Sequence, residues 1–260
     1  MIDEILLTHG CKTNRATLFL HGLTASPLQF AALARYVYVR GENVYVPRLP
    51  RHGHTDRLTE TLRDLRAHEL MSHAEESLAC VRDLGGVVRV VGFSLGGLMA
   101  VWLAQRCEVE TLAIAPLLGL AAVPPRLTGT TARALLALPN AFLWWNPMLR
   151  GRRPPRHGYP RFATHAIAQS LLIADDVFAH ASRFEARSPI TFVTNDGETT
   201  ISNAAVARLA RLWEANGIAR VERCRITGLG LCHDIVEPFH PCANINMSYR
   251  VLHALLDRTA

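Results

Sequence analysis

Lysine is almost missing from this chain: Lys12 is the only one among 260 residues. That leaves no interior lysine to form a Schiff base with pyridoxal phosphate, and no G-x-x-x-x-G-K loop to cradle a nucleotide. There is no C-x-x-C pair, so neither a zinc ribbon nor a thioredoxin-like centre is suggested. The six cysteines, at 11, 80, 107, 224, 232 and 242, are expected to be reduced thiols, mostly buried, because a chain of this length builds its own core without a disulfide framework. H-E-x-x-H is missing, and the close pairs His52/His54 and His68/His73 lack a matching acidic ligand, so no metal centre is expected. No apolar run reaches the ~18 residues of a membrane span. The opening Met1-Ile2-Asp3-Glu4 is acidic and is followed by no long apolar region, so no signal peptide is expected and the cytoplasm is the expected compartment.

What is present is an ordinary globular composition, 49% hydrophobic and 19% charged, enough to bury one sizeable core. The net charge of +6 is carried almost wholly by arginine. The arginines are scattered, with one denser stretch at Arg150, Arg152, Arg153 and Arg156, which reads as a solvated basic face and not as a nucleic-acid site.

Short β-branched runs alternate with helical patterns. Strands are predicted at Ala16–Leu20, Asn43–Val46, Val87–Val91, Thr111–Ala115, Ile190–Val193 and Val221–Ile226. Helical spacing covers Pro27–Arg40, Leu62–Leu84 (ended by Gly85-Gly86), Gly97–Arg106, Ala204–Asn216 and Pro241–Leu256. This alternation predicts an α/β fold, a mostly parallel sheet flanked by helices. Leu117–Arg187 breaks the pattern with no clear strand. The expectation is therefore a core domain of residues 1–116 and 188–260, interrupted by a helical cap over residues 117–187 at the carboxyl ends of the strands, where open α/β sheets bind ligands. Within it, Leu135, Leu136, Leu138, Phe142, Leu143, Trp144 and Trp145 could line an acyl pocket or pack the cap on the body.

Gly92-Phe93-Ser94-Leu95-Gly96 is a G-x-S-x-G motif between a strand and a helix. On such a turn the serine backbone is strained and its hydroxyl thrust out, while the helix N-terminus favours developing negative charge. Ser94 is thus the candidate nucleophile, and a serine needs a base. His233 follows the strand Val221–Ile226 through Thr227-Gly228-Leu229-Gly230, on a loop at the sheet's carboxyl edge. Its rival His240 abuts the next helix and reads as a surface or capping residue. The acid that orients the base should follow Ile190–Val193, where Asp196 and Glu198 both lie.

These segments resemble the bacterial carboxylesterases and monoacylglycerol lipases of the α/β-hydrolase superfamily over nearly the whole chain. Leu18-Phe19-Leu20-His21-Gly22-Leu23-Thr24 is similar to that family's "LLLHGFTG" segment. The resemblance implies that the amides of Leu23 and Leu95 form the oxyanion hole. Arg51-His52-Gly53-His54-Thr55 resembles the "GHGxS" loop, with Arg51 in place of its first glycine. Asn195–Ile201 fits the family's G-x-x-D-x-x-V/I register with Glu198 on the acid position, which favours Glu198 over Asp196 and leaves Asp196 to serve the turn. Failing both, the acid would be Asp175 or Asp176. The order Ser, acid, His agrees with the family. The implied activity is a serine carboxylesterase acting on a small-molecule ester, with no cofactor and no stable membrane anchor. Runner-up activities are a lipase or lysophospholipase, a carbon–carbon bond hydrolase, and a non-catalytic ligand receptor. Nothing in the sequence sets the oligomeric state.

Overall fold

The β-branched runs assemble into one seven-stranded sheet in a computed structural model that describes residues 1–145, 158–183, 188–216 and 220–258. In chain order the strands are β1 (Ile5–Leu7), β2 (Thr13–Leu20), β3 (Asn43–Val46), β4 (Gly85–Phe93), β5 (Glu110–Ile114), β6 (Phe142–Trp144), β7 (Arg161–Ala163), β8 (Ile190–Asn195) and β9 (Val221–Ile226). The sheet runs β1-β3-β2-β4-β5-β8-β9. Every pairing is parallel except that of β1 with β3. The helices are α1 (Ala31–Tyr38), α2 (Ala67–Arg82), α3 (Leu95–Ala104), α4 (Thr128–Ala137), α5 (Thr164–Ala179), α6 (Asn203–Ala215) and α7 (Ile245–Leu256).

The central strands are apolar on both faces because helices cover both. Leu18, Phe19, Leu20, Val90 and Val91 are fully buried, with Leu18 opposite Val90 and Phe19 opposite Val91. All ten residues of α3 are buried. A helix apolar all round belongs in an interior, and each leucine there contributes roughly 1.5–3 kcal/mol by leaving water.

Three expectations from the sequence change. The edge strand β1 was not foreseen, because three residues are too few to show a period. Pro27–Arg40 and Leu62–Leu84 are each divided: a 3₁₀ turn at Pro27–Phe30 precedes α1, and another at Thr61–Asp64 precedes α2. The segment between β5 and β8 is not wholly helical. Besides α4 and α5 it holds a small antiparallel ribbon, β6 with β7, whose three-residue strands carry too little pattern to read. The denser arginine stretch at 150, 152, 153 and 156 lies outside the described residues. Among the described residues, no helix is long and apolar enough to cross a membrane.

One buried charge network ties distant elements together. Arg89 on β4 is 5% exposed. Its guanidinium donates to both carboxylate oxygens of Glu42 at 2.7 Å, to Thr17 Oγ1 at 3.2 Å and to the Leu256 carbonyl at 2.6 Å. Removing one partner of such a pair strands the other charge in the interior. Glu42→Ala should therefore destabilise the fold by about 3–5 kcal/mol in denaturant unfolding. A loss below about 1 kcal/mol, the range of exposed pairs, would mean that solvent reaches Arg89.

Candidate active site

Ser94 stands between β4 and α3 with φ 54° and ψ −113°, a conformation that costs a non-glycine residue about 1–3 kcal/mol. The surroundings impose it. Ser94 N–H donates to the Ile114 carbonyl at 2.9 Å, and the Ser94 carbonyl accepts from Leu98 N–H at 2.9 Å and Leu117 N–H at 3.0 Å. The turn closes only because two side chains are missing. A Cβ on Gly92 would lie 2.0 Å from the Gly96 carbonyl oxygen, and one on Gly96 would lie 1.8 Å from that of Leu20.

The loop after β9 brings His233 to this serine. His233 Nε2 is 3.0 Å from Ser94 Oγ, and His233 Nδ1 is 2.7 Å from Glu198 Oε2. A carboxylate only accepts, so Nδ1 carries the proton and Nε2 is left to accept from the serine hydroxyl. The Phe93 ring packs against the imidazole, centroids 4.9 Å apart. The Glu198 side chain is fully buried, and its other oxygen accepts from Thr200 N–H at 2.7 Å and Ile201 N–H at 3.2 Å. Burial, the largest single influence, pushes its pKa up. The hydrogen bond and charge of His233, with those two amides, outweigh it and hold the carboxyl below its ordinary value, so it is ionised at neutral pH.

The other acids lie elsewhere. Asp196 is exposed, and the turn role expected of it falls to Asn195, whose Oδ1 accepts from Gly197 N–H at 3.1 Å. Asp175 pairs with Arg133, and Asp176 with Arg106 and Trp102. His240 is not a mere surface residue: it lines the same cavity as Ser94. The cysteine expectation is also corrected. Cys232 and Cys242 form a disulfide with Cα atoms 5.6 Å apart, and Cys11 and Cys80 are exposed. The reason is tertiary: the His233 loop doubles back on itself and brings together two cysteines ten residues apart.

The His21–Thr24 segment is held beside Ser94, for a Cβ on Gly22 would lie 3.5 Å from the serine Cβ. Among the described residues, neither Leu23 N–H nor Leu95 N–H has a hydrogen-bond acceptor. Buried histidines shape this segment. His21 Nε2 accepts from Leu49 N–H and His52 Nε2 from Thr24 N–H, each at 3.2 Å. Burial lowers both pKa values, that of His52 to about 4, so both rings are neutral. Thr24 has φ 66°, as does Arg51. Arg51 thus adopts the left-handed backbone that a glycine would supply, and its guanidinium pairs with Glu69 at 2.6 Å.

Gln29 was missed from the sequence. Its Oε1 accepts from Gly22 N–H at 2.8 Å and its Nε2 donates to Asp234 Oδ2 at 2.7 Å, strapping the His21–Thr24 segment to the His233 loop. In the sequence it is one polar residue in an amphipathic stretch, with nothing to mark it.

A cavity of about 740 Å³ opens over Ser94 and His233, within the size range of small-molecule sites. Its lining includes the apolar Phe93, Leu117, Leu120, Phe162 and Ile167 and the polar Asp234, Glu237 and His240. Of the seven apolar residues noted between β5 and β8, Trp144 and Trp145 line this cavity. Leu135 and Phe142 pack on the core, while Leu138 and Leu143 are largely exposed. Trp145 Nε1 donates to Thr24 Oγ1 at 2.8 Å.

A sequence model described as the alpha/beta hydrolase family matches residues 17–236. The chain belongs to that family. Among solved structures, this alpha/beta hydrolase is similar to the metagenome-derived lipolytic enzymes LipS and LipT, at 17% identity and TM-score 0.68, over 98% of this chain and 96% of that one. It is also similar to the monoacylglycerol lipase of Paleococcus ferrophilus, at 16% identity and TM-score 0.66, over 98% and 100% of the two chains. The monoglyceride lipase of Saccharomyces cerevisiae aligns at 13% identity and TM-score 0.72, over 98% and 90%. No curated protein matches the sequence.

Glu237, which lines the cavity, is a buried carboxyl, 5% exposed. Burial first, then the charge of Asp234, push its pKa up to about 7 against the opposing Phe239 N–H bond. Between the ordinary glutamate value and that raised one, the folded chain binds a proton that the unfolded chain has lost. Stability should thus fall as pH rises from about 4.5 to about 7. Glu237→Gln, which cannot ionise, should flatten this part of the stability profile and raise the melting temperature at pH 8. An unchanged profile in thermal unfolding would show Glu237 to be solvated.

Proposed function

We propose that this alpha/beta hydrolase is a serine esterase that cleaves carboxylic esters through an acyl-enzyme on Ser94. The observation that carries the reading is the unbroken hydrogen-bond chain from Glu198 through His233 to Ser94 Oγ at the floor of a largely apolar cavity. In the reaction, His233 Nε2 takes the hydroxyl proton as Ser94 Oγ attacks the ester carbonyl. The carbonyl oxygen becomes an oxyanion, which the free amides of Leu23 and Leu95 receive. One such donor contributes about 2.7–4 kcal/mol to lowering the barrier. The imidazolium, stabilised by Glu198, gives its proton to the departing alcohol. Water, deprotonated by the same imidazole, then attacks the acyl carbonyl and releases the acid and Ser94. This sequence calls for no cofactor.

The segment 117–187 is the proposed cap. Trp144, Trp145, Tyr159 and Phe162 from it line the cavity, and Tyr159 N–H donates to the Thr24 carbonyl at 2.6 Å. The apolar lining residues support an acyl chain as the occupant, which keeps a lipase or lysophospholipase within the reading. The proposed substrate is a small-molecule ester; nucleic acid is no part of it.

Ser94→Ala should lower hydrolysis of p-nitrophenyl esters by at least ~10⁴-fold with an unchanged melting curve, and a fluorophosphonate probe should label the wild type alone. Labelling of another serine would overturn the assignment. Glu198→Gln leaves His233 without its orienting acceptor and should cost up to ~10⁴-fold in kcat. Asp196→Asn, at an exposed position, should cost less than about tenfold. The reverse ranking would move the acid to Asp196.

A further inference from the structure

The disulfide Cys232–Cys242 closes the loop that carries His233. His240, inside that loop, places Nδ1 3.1 Å from Cys242 Sγ. The two sulfurs and an imidazole nitrogen of His240 all lie within 4.8 Å of one another. Among the described residues, this is the one group of three His, Cys, Asp or Glu side chains whose ligand atoms come so close. His240 and Cys242 also line the cavity that holds Ser94, beside Asp234 and Glu237.

We propose that a dithiol reductant converts this disulfide into a binding site for one thiophilic divalent cation of the zinc class, held by Cys232, His240 and Cys242. The dithiol supplies two electrons and two protons and becomes a cyclic disulfide, while the protein disulfide becomes two thiols. The cation then displaces both thiol protons into solvent. Two thiolates balance its charge, a neutral imidazole is the third ligand, and a fourth position stays open to water, a donor set known for zinc. Thiolate donors select zinc or cadmium over magnesium or calcium, which take oxygen. Zinc–sulfur bonds of ~2.3 Å at tetrahedral angles set the two sulfurs about 3.8 Å apart, and the Cα atoms of Cys232 and Cys242 are 5.6 Å apart.

The site goes beyond the esterase reading. Cys232 directly precedes His233 in the chain, so an occupied site lies against the catalytic loop and takes up room in the cavity. If the esterase reading holds, zinc lowers the activity of the reduced chain and leaves the oxidised chain unaffected. Binding is read separately, so failure of one reading does not carry the other with it.

The test is to reduce the full chain with dithiothreitol, remove the reductant without air, and titrate with cadmium, following thiolate-to-metal absorption and stoichiometry by calorimetry. The expected result is one cadmium per reduced chain. The band should be absent from the oxidised chain and from both Cys232→Ser and Cys242→Ser. His240→Ala should weaken binding by at least the ~10-fold that even an outer-shell partner costs. A Cys11→Ser/Cys80→Ser double variant, which removes the exposed thiols, should bind as the wild type does. The proposal is overturned if the reduced chain binds no cadmium, if the band persists in Cys242→Ser, if His240→Ala binds unchanged, or if the double variant loses the site.

Discussion

The approach of α3 to the ends of β2 and β4 is the constraint on which the rest of the site depends. Its clearance is that of backbone against backbone: any Cβ on Gly92 or Gly96 would sit within about 2 Å of a carbonyl oxygen. Once that contact is made, Ser94 has no choice of conformation. Its amide is drawn to β5 and its carbonyl is shared between α3 and the segment after β5. The strain at φ 54° is held by a helix buried over its whole length. For the proposed nucleophile, such fixed placement would allow attack without reorganisation.

Around this point the loops are tied to each other as well as to the sheet. Gln29 joins the His21–Thr24 segment to the His233 loop through Asp234. His52 and Trp145 grip Thr24 from two sides. Asn195, at the end of β8, donates to the Cys232 carbonyl at 2.6 Å. The Glu198 loop, the His233 loop and the His21–Thr24 segment are therefore cross-linked by hydrogen bonds. The neutral, buried His21 and His52 suit this task, since each presents one donor and one acceptor without the cost of burying a charge.

The cavity lining comes from two main regions of the chain. The region between β5 and β8 brings the aromatic residues Trp144, Trp145, Tyr159 and Phe162. The loop between β9 and α7 brings His233, Asp234, Glu237 and His240 within eight consecutive residues.

The sequence by itself determined the parallel sheet, the turn at Ser94 and the loop positions of His233 and Glu198. These rest on local pattern: apolar period, glycine spacing around a serine, and chain order after a strand. It also narrowed the acid to two neighbours, Asp196 and Glu198. The family register already favoured Glu198, and the tertiary structure buries it against two amides beside His233 and leaves Asp196 in solvent. The tertiary structure alone brought Gln29 to Asp234 across 205 residues, joined Cys232 to Cys242, and turned Arg51 into a glycine-like conformation held by Glu69. None of these has a local signature, because each depends on where a distant segment comes to rest. The ribbon of β6 and β7 was hidden for the opposite reason. Its strands are local but only three residues long, too short for alternation to be told from chance, so pairing decides what pattern cannot.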